Sequence, residues 1–166
     1  MDRNEQLDKA GMPYTLIKLL DDHPGEDTVK KYNTVIKMIG IKTVLYVLGP
    51  DSPKKELLCA KWLWFFMQQR KKTGRWLTPS RIPASFGELP TGGGVVVFQG
   101  IDLLMPQQQK TVAQAVRDWI TDGRFVILSA SSLPVLEECF GKGLTYLTHH
   151  AISVEVKVET PKILKV

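Results

Sequence analysis

Three short runs in this chain, residues 43–49 (TVLYVLG), 95–100 (VVVFQG) and 125–130 (FVILSA), are apolar at almost every position. A strand with one wet face alternates apolar and polar side chains, so a nearly continuous Val/Leu/Ile/Phe run needs cover on both faces, as in a parallel sheet. Parallel neighbours cannot be joined by a tight turn, and each connection must be a crossover, usually a helix. The intervening segments read that way. Residues 57–70 (LLCAKWLWFFMQQR) are too long for a strand and apolar almost all round, which predicts a central helix covered on several sides, Trp62, Trp64, Phe65 and Phe66 included. Residues 107–121 place Val112, Ala115, Val116, Trp119 and Ile120 on one helical face. Residues 133–140 form a short helix, with Ser131 or Ser132 as N-cap and Gly141 just past its end. Residues 74–79 (GRWLTP) make a short strand, and 151–158 (AISVEVKV) alternate as an edge strand should. Ahead of them, Tyr14, Leu16, Ile17, Leu19, Leu20, Val29, Val35, Ile36 and Ile39 predict one or two amphipathic helices within residues 1–40.

The expected fold is therefore α/β: a three-layer sandwich with five parallel strands between helices. Residues 1–40 form an N-terminal helical segment and 41–166 the core, in one compact domain. Ligands of such sheets bind beyond the carboxyl ends of the strands. In this chain that rim is 49–56, 78–80, 99–102 and 129–132.

With 166 residues the chain can bury roughly 68–70% of its unfolded surface, enough to fold without disulfide or metal staples. Its 22 Lys and Arg against 17 Asp and Glu leave +5, a mild basic excess compatible with an acidic partner. Cys59 and Cys139 are too few and too far apart for a disulfide framework or a zinc site, and read as buried thiols. His149 and His150 with Glu155 lack a third ligand and, as neighbours on an extended segment, point apart, so no metal is expected. Ser129, Ser131 and Ser132 sit in no G-x-S-x-G elbow, which argues against a serine hydrolase. The first residues have no apolar core, and no apolar run approaches about 18 residues. A cytoplasmic protein with no membrane contact is expected.

The loop after the first strand is Gly49-Pro50-Asp51-Ser52-Pro53-Lys54-Lys55-Glu56, leading into a helix. A phosphate-binding loop has G-x-x-x-x-G-K-[ST] in this strand–loop–helix setting: the second Gly lets the backbone wrap the phosphate, Lys reaches its oxygens and Ser/Thr holds magnesium. Gly49 and Lys55 match. Lys54 replaces the second Gly and Glu56 the hydroxyl, placing a carboxylate where phosphate oxygens would approach. Pro53 removes one amide from the phosphate nest.

At this point the chain resembles, over about residues 10–158, the AAA+ core of bacterial helicase loaders and transposition-helper ATPases, the DnaC/IstB-like group. The resemblance is carried by AGMPYTLIKLL before the core, TVLYVLGPDSPKKELLCAKWLWFF at the phosphate loop, GVVVFQGIDLL at the second acidic-motif strand, and DGRFVILSASSLPVLEECFGKGL at the sensor strand. It implies a P-loop strand order of 5-1-4-3-2. It also implies acidic magnesium ligands at Gln99 and Gly100, with Asp102 two residues beyond in a register that cannot replace them. The sensor position falls at Ser129 and Ser131, and the arginine finger in residues 143–150 (GLTYLTHH), which contain no Arg. Residues 80–94 are too short for the usual intervening helix. Phosphoryl transfer is almost entirely positioning plus charge stabilisation, so these departures predict no ATP hydrolysis and no nucleotide cofactor.

Function is then expected to lie on surfaces. By resemblance, the segment before the core contacts a replicative helicase or an active AAA+ paralogue, which points to Tyr14, Leu16, Leu19 and Leu20. Without a finger or its target, a monomer or small oligomer is expected rather than a hexamer. The alternative is a nucleic-acid-binding module: Arg70, Lys71, Lys72, Arg75 and Arg81 form the densest basic cluster, with Trp76 as a stacking face. A weak residual nucleotide binder is the third reading. The first reading, an inactive AAA+-like interaction or regulatory subunit in DNA replication, recombination or transposition, leads.

Overall fold

The computed structural model describes residues 2–22, 25–81 and 93–157. Five parallel strands form one sheet in the order β2-β3-β4-β1-β5. They are β1 (Val44–Leu48), β2 (Gly74–Leu77), β3 (Val95–Phe98), β4 (Phe125–Ala130) and β5 (Ala151–Glu155). The register aligns Val44 with Val126 and with Ala151, and Val95 with Phe125. This is the expected strand order read from the opposite edge. Every residue of β1, β3 and β4 is buried, so their unbroken apolar runs serve two cores at once.

Alternation within each strand divides those cores. Val44, Tyr46, Leu48, Val96, Phe98, Val126 and Leu128 face α5 (Pro106–Thr121), α6 (Leu133–Phe140) and α7 (Gly143–His149). Leu45, Val47, Val95, Val97, Phe125 and Ile127 face the other side, covered by α4 (Pro53–Arg70) and by α1 (Arg3–Ala10), α2 (Tyr14–Leu19) and α3 (Glu26–Met38). The N-terminal segment thus holds three helices where periodicity predicts one or two. Gly11, at φ 93°, and Pro13 separate α1 from α2, a break that apolar spacing does not register. Trp62 and Phe66 of α4 are fully buried, and Tyr32 of α3 meets Phe65 edge-on at 6.1 Å, so α4 is covered by its neighbours as its all-round apolar pattern requires.

Other boundaries move for local reasons. Helix α4 begins at Pro53, four residues before the predicted start, because Ser52 caps it by accepting the Lys55 N–H. Helix α5 begins at Pro106, where the Gln108 side chain accepts the Met105 N–H. Strand β2 ends at Leu77 and gives way to a 3-10 turn, Pro79–Arg81. His149 closes α7 rather than lying on an extended segment. The last strand stops at Glu155, with Val158 outside the described residues, as is most of 80–94.

Candidate functional site

The carboxyl ends of β1, β3 and β4 converge on the loop between β1 and α4. Gly49 turns out of β1 at φ 143°, and a Cβ there would stand 2.1 Å from the Val156 carbonyl oxygen, so only glycine lets the chain after β5 pass so close. Capping by Ser52 then commits Lys54, Lys55 and Glu56 to the first turn of α4.

Each of these three side chains is held by the protein. Lys55 is 1% exposed, and its Nζ donates to the Gly49 carbonyl at 2.8 Å and the Ala130 carbonyl at 2.9 Å. Asp51 approaches the same Nζ at 3.7 Å but is largely in solvent. Because Ala130 O also accepts the Gly49 N–H, Lys55 staples the ends of β1 and β4 together. Lys54 pairs with Asp27 of α3, and the ammonium holds that carboxyl below its ordinary range. Glu56 accepts the Gln99 amide at 2.5 Å, while the Gln99 carbonyl accepts the indole N–H of Trp76 at 3.0 Å. Positions 56 and 99 are thus bonded directly to one another.

The remaining predicted positions are engaged as well. Gly100 is buried at φ 82° and opens a 3-10 turn, Ile101–Leu103. That turn takes Asp102 off the strand register, and its carboxylate accepts the Ser131 N–H at 2.8 Å, tying the loop after β3 to the loop after β4. Ser129 is buried on the α4 side of the sheet, near the Cys59 thiol, rather than facing the rim. Burial pushes both thiols, Cys59 and Cys139, up to about 12. Asp102 is the site residue that sequence reasoning set aside; only the turn at Gly100 gives it this role.

Two surface expectations are corrected. Leu16 and Leu20 are 4% and 8% exposed and belong to the core beneath α2, because the amphipathic pattern that marks them also buries them. Tyr14 and Leu19, at 69% and 37%, remain outside. Trp76 offers no stacking face: β2 turns it inward, fully buried against the α4-side core.

The rest of the basic cluster lies at the opposite end of the sheet, since the 18 residues of α4 carry the chain about 27 Å from the phosphate loop. Lys71 and Lys72 are exposed, Arg70 and Arg75 half-buried, and the Arg81 side chain lies outside the described residues. Arg124, remote in sequence, joins Arg70 and Lys72 there. Among the described residues no group of three His, Cys, Asp or Glu could hold a metal ion, and no helix is long and apolar enough to cross a membrane.

No family model matches the chain, nor does any curated protein. Among solved structures it is similar to a crystal structure of a DNA replication initiation factor, with TM-score 0.59 and 10% identity over 85% of this chain. The chain spans about half the length of that factor, 49%. It also matches a Neisseria meningitidis protein solved in solution, with TM-score 0.48 and 16% identity over 70% of this chain and 76% of the other. The likeness to the initiation factor is one of fold, a five-stranded parallel sheet between layers of helices.

Proposed function

We propose that this protein is an AAA+-like domain that neither binds nor hydrolyses ATP tightly or productively, and works as an interaction or regulatory subunit in DNA replication, recombination or transposition. The observation that carries the reading is the buried Lys55 Nζ, already satisfied by two main-chain carbonyls. A P-loop fold implies a magnesium nucleotide, and the residues present do not fit one. A phosphate would have to draw Lys55 away from Gly49 and Ala130, past a proline without an amide and beside the carboxylate of Glu56. Glu56 and Gln99 have closed on each other where the cation would sit. Phosphoryl transfer depends on positioned charge, and each group that would supply it is engaged elsewhere.

A fold without its chemistry works through its surface. The replication, recombination or transposition setting is supported by the resemblance to helicase loaders and by the name of the replication initiation factor that shares the fold. The partner we favour is a replicative helicase or an active AAA+ paralogue, met by Tyr14 and Leu19 on the outer side of α2. Titration calorimetry with Mg-ATP and a phosphate-release assay test the first half. No binding at micromolar ATP and no release above buffer is expected; a micromolar Kd, or turnover abolished by Lys55→Ala, overturns it. Capture of the host's replicative helicase or AAA+ paralogues on immobilised protein, with and without Tyr14→Ser and Leu19→Ser, tests the second.

A further inference from the structure

At the amino ends of β2, β3 and β4 three loops meet around an open groove of about 710 Å³, lined by Arg70, Lys72, Arg124, Asp122, Gly93 and Gly94. The glycines make the meeting possible. A Cβ on Gly94 would stand 2.6 Å from Lys72 Cβ, so the lysine stem lies flat across bare backbone, and Gly93 turns at φ 86°. Main-chain bonds from Gly94 N–H to Thr73 O at 2.8 Å and from Phe125 N–H to Gly94 O at 2.9 Å fix the three loops relative to one another.

Both guanidinium groups lie over aromatic rings, and neither is ion-paired among the described residues. Arg70 lies 4.9 Å from the Phe125 ring centre on one side of the sheet, and Arg124 lies 5.9 Å from the Trp119 ring on the other. The ion pairs among the described residues involve Arg3, Lys54 and Lys55, and neither of these arginines. Arg70 Nε and Arg124 Nη1 are shielded from water and have no hydrogen-bond partner among the described residues. Burial without a counter-charge pushes Arg70 below its ordinary value.

Cations often gather at helix C-termini to meet the last carbonyls. Here backbone amides already take several of those carbonyls. Lys71 and Lys72 N–H bond Gln68 O and Met67 O of α4, and Asp122, Gly123 and Arg124 N–H bond Asp118 O, Ile120 O and Trp119 O of α5. Two guanidinium groups and an ammonium face one volume there, where Asp122 is the carboxylate among the described lining residues.

We propose that this groove binds a phosphate of a nucleic-acid backbone, between Arg70, Lys72 and Arg124. Guanidinium forks match phosphate oxygens, and three cationic donors converging from the α4–β2 and α5–β4 connections suit a tetrahedral anion better than a planar carboxylate. The groove is open, so a strand passes through it, and exposed Lys71 beside it together with the chain's +5 extends the attraction. This site is separate from the phosphate loop and does not rest on the loss of ATP chemistry.

The test is fluorescence anisotropy of a labelled single-stranded oligonucleotide on the full chain across a salt series. Arg124→Gln and Lys72→Gln should each weaken binding about tenfold at low salt and reduce the salt slope by about 0.7, the signature of one lost phosphate contact. Arg70→Met keeps the packing on Phe125 and should do the same. Asp122→Asn should tighten binding about threefold, which a damaged fold cannot imitate. Unchanged affinity and slope in all four variants overturns the proposal. So does calorimetric binding of inorganic phosphate without binding of the oligonucleotide, since the groove would then serve a small anion. ATP turnover by the wild-type chain would refute the reading of the phosphate loop and leave this result standing.

Discussion

Lys55 can be replaced in two ways that separate a lysine kept for a ligand from one that holds the fold. Alanine removes the ammonium and three methylenes; methionine removes the ammonium and keeps an apolar stem of similar length. Both relieve the cost of a buried charge, and both leave the Gly49 and Ala130 carbonyls without their Nζ donor. The stem is the difference, and at about 0.8 kcal/mol per buried methylene it is worth roughly 2.4 kcal/mol. Any unfilled cavity adds to that figure. For a domain of this size one kcal/mol moves the melting point by about 2–4 °C, so alanine should melt about 5–10 °C below methionine. Methionine itself should lie about 1–3 kcal/mol below wild type, because it keeps the packing but leaves the Gly49 carbonyl without its donor. Scanning calorimetry or circular dichroism reads both shifts. If alanine, methionine and wild type melt within about 2 °C of one another, Lys55 is not part of the core, and the closed-loop reasoning fails.

Gln99→Leu takes away the acceptor of the Trp76 N–H and the donor to Glu56, and should cost about 1–3 kcal/mol, seen as a lower urea midpoint at unchanged m-value. Both thiols should resist a disulfide reagent at pH 8 in the native chain and react together in denaturant; rapid stoichiometric labelling of either contradicts their burial. Their folded values near 12 stand above the unfolded thiol at about 8.5, so the native state holds the extra protons, and stability should fall as pH rises through that window.

The sheet was readable because its three inner strands need apolar residues on both faces, and no other element leaves such short unbroken runs. Breaks and caps were less readable: Gly11 with Pro13 splits the N-terminal helices, and Ser52 moves the start of α4 by hydrogen bonding that apolar spacing does not record. In the loop between β1 and α4, the sequence marks Glu56 and Lys54 as unlike a phosphate-binding loop, but not where those side chains go. Their partners Asp27 and Gln99 are 27 and 43 residues away, a pairing that exists only once the sheet is built. Arg124 escaped notice for the same reason, because α5 and β4 alone bring it beside Arg70. Leu16 and Leu20 show the converse ambiguity, since an apolar stripe marks a partner face and a core face alike.

The Trp76–Gln99–Glu56 chain also limits the mutational routes open to this protein. Placing a hydroxyl at position 56 removes the acceptor of the Gln99 amide, and placing a carboxylate at position 99 sets two acids side by side. Each single step strands a polar partner at a cost of about 1–3 kcal/mol before any ligand is present to repay it. With total stabilities of about 5–15 kcal/mol, a lineage would cross that valley only through paired replacements. The coupling therefore acts as a ratchet: once Trp76, Gln99 and Glu56 are bonded, selection for stability alone keeps them so.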